Sequence, residues 1–446
     1  MDKLERNKPD AFFNVRRLNC ITLVAIAAGF ASTNLMAGGF QLSEHTVTGL
    51  GRALAGSGVA GDDLSDMYAN PAGLMLAGDG RRMQFGLAGL DINGGFTNEG
   101  STQQLLTESG FVTIPSRGPD SDAADSAAIP NLYYVSPDLG SFRYGFSVTS
   151  PFGLRTDYDT DWVGRYHALV SELKTVDLNL AGAWSVSDSL SLGAGINVQT
   201  AEAELSRAIF QGPTAPDGRS TLKGDNVGVG YSFGGLLELG SGTRLGLGFR
   251  SKVKQALDGD LTITGTPRDA VIGASASVDL PETIYLSGYH EINSTWALLG
   301  TLRWTNWSRF VELRTRFDNN VLPDDVTEEN WEDSVSASIG VQYRVRDGLT
   351  LRAGYEKDES PIPNESLRTP RIPGADRDWF TVGASFNTSD KLTIDLSLAR
   401  LNVDEARLQN SINLVGSAPG AFTDNLSGSY SDSSVNILAV QLQYAF

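Results

Sequence analysis

From Ser334 to Arg346 the chain reads SVSASIGVQYRVR, with an apolar side chain at alternate positions and Ser, Gly, Gln or Arg between them. A two-residue period gives an extended strand one apolar and one polar face. Leu392, Ile394, Leu396 and Leu398 oppose Thr393, Asp395 and Ser397 in the same way, and at the carboxy-terminus Leu438, Val440, Leu442, Tyr444 and Phe446 alternate with Ala439, Gln441, Gln443 and Ala445. Together with the breakers, the alternation predicts about fourteen strands, near 81–96, 129–136, 141–154, 170–186, 189–207, 226–240, 243–258, 276–293, 295–316, 332–346, 349–358, 377–388, 391–405 and 433–446. Tight turns rich in Gly, Asn, Asp and Ser, such as Arg346-Asp347-Gly348, alternate with long connections near 97–128, 155–169, 208–225, 259–275, 317–331, 359–376 and 406–432. Short turns at one end and long loops at the other are the layout of an outer-membrane barrel.

The amino-terminus gives that pattern an address. Residues 1–37 read as a secretory signal peptide: Arg16 and Arg17 close a mildly basic segment, Ile21 to Ala31 is apolar, and Ala37 is the expected cleavage point, although Leu35 is larger than the residue preferred there. No stretch reaches the roughly 20 apolar residues of a spanning helix, so a membrane-embedded chain must cross as strands closed on themselves. The expected fold is therefore an all-β membrane protein, an antiparallel transmembrane barrel over 81–446 in a bacterial outer membrane. A soluble sandwich has the same periodicity; the leader, the turn asymmetry and the terminal Phe446 favour the barrel.

The chain of 446 residues carries a net charge of −18, and five basic against three acidic residues in the leader make the remainder more acidic still. That excludes nucleic acid as a natural partner. The only cysteine, Cys20, lies within the leader, and three histidines leave little material for a zinc site, so no metal or cofactor is expected. The acidic run 318–330 lacks EF-hand spacing. Residues 38–80 do not alternate; Gly and Ala runs, Asp62-Asp63 and Asn70-Pro71-Ala72 suit short helices and turns, a hatch small enough to plug a fourteen-stranded lumen. Gly49-Leu50-Gly51 lacks the spacing of a phosphate cradle.

GGFQLSEHTVTGLGRALAG (38–56) with Asn70-Pro71-Ala72 resembles the mature amino-terminus of the FadL family of outer-membrane fatty acid transporters. TSPFGLRTDY (149–158), LPETIYLSGY (280–289), WALLGTLRWTNWSRFVELR (296–314), DRDWFTVGASF (376–386) and the terminal Tyr-Ala-Phe extend the resemblance along the chain. It implies a monomeric barrel that catches a long-chain fatty acid or another hydrophobic molecule from outside, holds it in an apolar lumen pocket, and releases it sideways into outer-membrane lipid through a gap at a kinked third strand. The matching segment is Pro151-Phe152-Gly153, and it has a reading of its own: Pro151 lacks a ladder N–H and Gly153 has no side chain, so pairing should fail there. Arg207 and Arg314 match the family's carboxylate-binding positions. Arg207 has inward parity on the fifth strand, whereas Arg314 has lipid-facing parity unless a bulge intervenes. Asn70 is expected to anchor the hatch near the kink, and ligand binding to shift the hatch and open the gap. The segment 211–224 is polar, unlike a greasy capture surface.

Three other functions compete. Hydrocarbon uptake through the same architecture would need no cation. A general porin would need an open lumen. A hydrolase would need a nucleophile at the rim, but His167, near Ser171 and Glu172, sits in no nucleophile motif and reads as a solvated loop residue, so no catalytic residue is expected.

Overall fold

A computed structural model describes residues 39–446 except 124–125, 213, 241, 319–321 and 414–421. The expected leader therefore lies outside the described residues. The barrel strands, numbered β1 to β14, are Arg82–Asn93 (β1), Ala127–Val135 (β2), Phe142–Thr149 with Gly153–Asp157 (β3), Val170–Ser187 (β4), Leu190–Ile209 (β5), Gly218–Leu239 (β6) and Thr243–Arg250 with Val253–Thr264 (β7). They continue as Ala270–Leu280 with Thr283–Glu291 (β8), Trp296–Thr305 with Glu312–Phe317 (β9), Asp325–Glu328 with Ser334–Arg346 (β10), Leu349–Asp358 (β11), Arg377–Asn387 (β12), Leu392–Val403 (β13) and Ser434–Ala445 (β14). Five of the fourteen are interrupted once, which is why the sheet contains nineteen paired segments. All neighbours are antiparallel, and β14 closes on β1 in register from Arg82↔Ala445 to Asn93↔Ser434.

The alternation seen in the sequence has a physical counterpart on the wall. Outward residues such as Trp184, Val229 and Leu438 are 62%, 65% and 63% exposed, while their neighbours Ala183, Gly230 and Ala439 are buried inside. A closed sheet leaves no free edge, so lipid can cover this surface without stranding a backbone group. Trp296, Tyr343, Tyr444 and Phe446 cluster at the short-turn end, with ring centroids 4.4 Å apart for the first pair and 5.0 Å for the second, as an interfacial aromatic girdle does.

The described residues before β1, from Gly39 to Ala77, lie inside the barrel. Thr46 caps helix α1 (Val47–Leu50) through a hydrogen bond from Gly49 N–H at 2.9 Å, and α2 (Asp66–Ala69) leads into a 3-10 turn over Pro71–Leu76. Asn70 starts that turn because its side-chain oxygen accepts from Ala72 N–H at 3.0 Å and Pro71 needs no N–H partner at the first position. Polar bonds tie this hatch to the wall. Asp62 pairs with Arg52 at 2.8 Å and with Arg352 of β11 at 2.9 Å, and Arg303 of β9 donates to Ser43 at 3.0 Å. Glycine on the wall makes the close approach possible: a Cβ at Gly248 would sit 1.9 Å from Ala69 O, and one at Gly193 2.4 Å from Ala72 N.

The structure corrects several expected boundaries. β6 begins at Gly218, β7 runs to Thr264 and β8 starts at Ala270, so the loops expected at 208–225 and 259–275 are mostly tall strands rising above the lipid-facing belt. The loops expected at 97–128 and 406–432 contain a six-stranded sheet (Gly95–Asn98, Thr102–Thr107, Gly110–Pro115, Ser121–Asp122, Ala406–Asn413 and Phe422–Tyr430). Its residues Phe96, Leu408, Leu426 and Tyr430 bury with Tyr158, Trp162 and Tyr166 of the second loop into an outer cap. Asn-, Ser- and Gly-rich segments of this kind look like solvated loops one at a time; they become strands by pairing across more than 300 residues, as Phe96 does with Tyr430.

Candidate ligand cavity and lateral gap

The third strand breaks between Thr149 and Gly153. Below the break β3 pairs with β2 over four residues only, Leu132↔Val148 to Val135↔Gly145; above it β3 pairs with β4 alone among the described residues. The wall between β2 and β3 is thus unladdered from Asn131 outward, and the hatch fills the opening from within. Leu42 N–H donates to Pro151 O and Gly153 N–H to Phe40 O, each at 2.9 Å, with Gln41 and Phe152 as antiparallel bridge partners. Phe152 N–H donates to Thr175 Oγ1 at 3.0 Å, and the Thr175 hydroxyl returns a bond to Phe152 O. Pro151 O, Phe152 N–H, Phe152 O and Gly153 N–H are therefore met by protein, as an interrupted ladder at membrane depth requires.

Behind Phe40 lies a cavity of about 800 Å³, part of it open to the exterior. Leu154, Leu173, Leu205, Leu222, Leu257 and Val278 come from the tall strands, with Phe310 and Leu313 from the interrupted β9 and Ile372 from the loop before β12. Phe40 stands between this cavity and the gap: its ring lies 6.1 Å from Phe152 and 4.7 Å from Trp307. One cation reaches the apolar lining without a counter-charge. Arg371 donates to Ser171 Oγ at 2.9 Å and Ser206 O at 3.4 Å, and among the described residues no carboxylate comes within ion-pair distance of it. Burial and the nearby Arg207 charge bring Arg371 down to about 10. A guanidinium without a counter-ion at the edge of an apolar cavity has the chemistry to hold an anion.

The sequence-predicted residues fall in different places. Arg207 stands on the same face of β5 as Ala203 and Leu205, which line the cavity, but it is engaged by Asp325 at 2.7 Å. Arg314 does not join it: Leu313 faces the cavity, while Arg314 pairs with Glu312 at 2.6 Å and Asp324 at 3.0 Å on the outer rim. The turn over Trp307–Arg309 that interrupts β9 does not reverse that orientation. Asn70 is not near the kink. Its amide donates to Gly58 O and to Gly235 O of β6, at 3.3 and 3.0 Å, and Pro71 and Ala72 abut Gly193 of β5; the contact at the kink belongs to Phe40, Gln41 and Leu42. His167 is buried rather than solvated, 3.3 Å from the buried Asp424 of the cap sheet, and Ser171 serves Arg371. Sequence reasoning missed Arg371 because 359–376 reads as a long loop; Pro361, Pro363, Pro370 and Pro373 were the available sign that it is a stiff one.

Residues 28–446 match the family model described as Outer membrane protein transport protein (OMPP1/FadL/TodX). The Long-chain fatty acid transport protein of Escherichia coli O6:H1 is 28% identical over 85% of this chain and 90% of its own. Outer membrane protein P1 of Haemophilus influenzae is 27% identical over 95% and 99%. The crystal structure of a Pseudomonas aeruginosa FadL homologue superposes with a TM-score of 0.79 at 24% identity over 92% of this chain and all of that one, and the Ralstonia pickettii toluene transporter TbuX at 0.62 and 16% over 90% and 100%, which speaks for the fold. A closed fourteen-stranded barrel with its amino-terminal segment inside, matched from end to end by a family of transport proteins rather than enzymes, places this chain in the OMPP1/FadL/TodX family of outer-membrane transporters of hydrophobic compounds.

Proposed function

We propose that this protein takes up long-chain fatty acids, holding the carboxylate at Arg371 and the tail in the apolar cavity, and releases them through the wall at Pro151-Phe152-Gly153. The observation that carries this reading is Arg371, a cation without an ion-pair partner among the described residues, at a largely apolar cavity. An alkane gains nothing from a partly buried cation and an aromatic ring only a cation–π contact, whereas a carboxylate forms charge-assisted bonds to it. The tail gains roughly 0.8 kcal/mol for each CH₂ kept out of water, so a cavity followed by a side exit into lipid is a better route than a wet axial pore. Arg207 acts behind Arg371, through its ion pair with Asp325, and Arg314 has no part in the head-group site. The relatives named as long-chain fatty acid transport proteins support the same substrate class.

Release requires Phe40 to leave the space between cavity and gap, and the two hydrogen bonds of Phe40 and Leu42 to the kink to break. Two net hydrogen bonds are worth on the order of 1–3 kcal/mol, small enough for a tail entering Phe40's place to displace them. Uptake of labelled oleate and labelled toluene by cells with and without the protein tests the reading. Oleate uptake is expected to depend on the protein and to fall with Arg371→Ala; toluene uptake that depends on the protein and ignores Arg371→Ala, with oleate unaffected, would transfer the assignment to hydrocarbons.

A further inference from the structure

Four charged side chains line the cavity: Glu172, Lys223, Glu329 and Arg371. Two are neutralised by neighbours, Glu172 by Arg155 at 3.4 Å and Lys174 at 3.0 Å, Lys223 by Glu204 at 2.8 Å. Glu329 is not. It is 3% exposed, one of its oxygens accepts from Trp331 Nε1–H at 2.9 Å, and among the described residues no cation lies within ion-pair distance. The same cavity therefore holds a partly buried cation and a buried acid that are not within ion-pair distance of each other. Ionised, such an acid has lost its hydration with little in return; neutral, it carries a hydroxyl donor that needs an acceptor.

Resting on the fatty acid reading above, we infer that Glu329 is a second head-group residue: as the neutral acid it donates its O–H to an anion held by Arg371, and as the carboxylate it competes with that anion for the same guanidinium. Burial pushes Glu329 up to about 8, against the lowering influence of Trp331 and Arg371. The charges around it are Arg371 from the loop before β12, the Arg207–Asp325 pair between β5 and β10, and the paired Glu172 and Lys223 on β4 and β6. Arg371 remains largely charged below pH 9, so one group changes charge in the cavity between neutrality and that point. Proton balance is simple: an anion binding when Glu329 is ionised brings one proton from solvent onto the carboxylate, and that proton returns to solvent when the anion leaves.

A permanently charged probe isolates this from the ligand's own titration. Dodecanesulfonate, below its micelle concentration, is titrated calorimetrically into the full-length mature protein in nanodiscs. Affinity is expected to fall about tenfold from about pH 6.5 to about pH 9 in the wild type, following the neutral fraction of an acid titrating near 8, and to stay level in Glu329→Gln, which keeps a donor and cannot ionise. Dodecanol is expected to bind independently of pH in both. Measured in buffers of different ionisation enthalpy near pH 8.5, sulfonate binding to the unaltered protein takes up more than half a proton, a readout that needs no variant to fold. Pronounced pH dependence surviving in Glu329→Gln, or absence of proton uptake by the wild type, overturns the role of Glu329. Undiminished sulfonate affinity in Arg371→Ala instead overturns the head-group site on which it rests.

Discussion

Arg371 and Glu329 reach the cavity from two loops, and their chemistry follows from lying there with hydrogen-bond partners but, among the described residues, no ion-pair partner. Removing a charged hydrogen-bonding group costs about 1.5–3 kcal/mol, so Arg371→Ala is expected to weaken laurate binding roughly ten- to a hundredfold while leaving dodecanol within about twofold. Arg207→Ala is expected to cost less, a few-fold, because Arg207 is already bound to Asp325, and Arg314→Ala to leave binding unchanged, since its partners Glu312 and Asp324 lie on the rim. Equilibrium titration of the three variants orders these effects; Arg314 outranking Arg371 would refute the assignment. Glu329 also sets a sign for stability. Its folded value of about 8 lies above the ordinary carboxyl value of 4.5, so the folded chain holds a proton that the unfolded chain releases. Stability is then greatest below the ordinary value and is lost as pH rises towards 8, and urea unfolding in detergent should show that decline in the wild type and a weaker one in Glu329→Gln.

The kink and the hatch work as a pair of elements. β3 breaks at Pro151 and Phe152, and the segment Phe40–Leu42 supplies the missing partners. Bridge partners in an antiparallel pair are within reach of a disulfide, and the chain's one cysteine, Cys20, precedes the hatch. Gln41→Cys with Phe152→Cys is therefore expected to block oleate uptake when oxidised and restore it on reduction; uptake indifferent to the crosslink would mean that the ligand leaves elsewhere. Elsewhere in the lumen, against β7, the hatch leans on bare backbone. Gly248→Val would drive a side chain into Ala69 O, and the overpacking is expected to lower unfolding stability by about 1–3 kcal/mol, read from denaturant midpoints.

For the whole molecule, the division between lipid belt, plugged lumen and outer cap predicts how each part responds to removal. Fourteen strands enclose more space than their inward side chains fill, and residues 39–80 occupy it. Deleting 39–80 is expected to leave a folded barrel, because β14 still closes on β1, but to give a sustained ion conductance in planar bilayers that the intact protein lacks. A deletion variant as silent as the intact chain would show that the cap alone seals the pore. The cap is fastened to the cavity loop through Tyr158, whose hydroxyl donates to Pro370 O at 2.7 Å next to Arg371 and lies 2.6 Å from the Tyr430 hydroxyl. The outer sheet thus helps to hold in place the loop that carries Arg371.

Strand positions, turns and the apolar face of each strand were legible in the sequence because each is a local property repeated many times. The period of two along Leu392–Leu398 or Val335–Val345 states which side meets lipid, and Gly348 or Asp390 states where the chain must turn back. Pro151 and Gly153 announced a weak point in the ladder for equally local reasons. What the tertiary structure decided is everything that depends on two distant segments meeting. Phe96 finds Tyr430, Arg371 finds Ser171, and Phe40 finds Phe152 only when the barrel closes, and the burial that leaves Arg371 and Glu329 without an ion-pair partner among the described residues is created by the same closure. Arg314 shows the limit from the other side: an arginine's position along a strand is written in the chain, but whether it faces a cavity or a neighbouring carboxylate depends on backbone breaks and long-range partners that alternation does not encode.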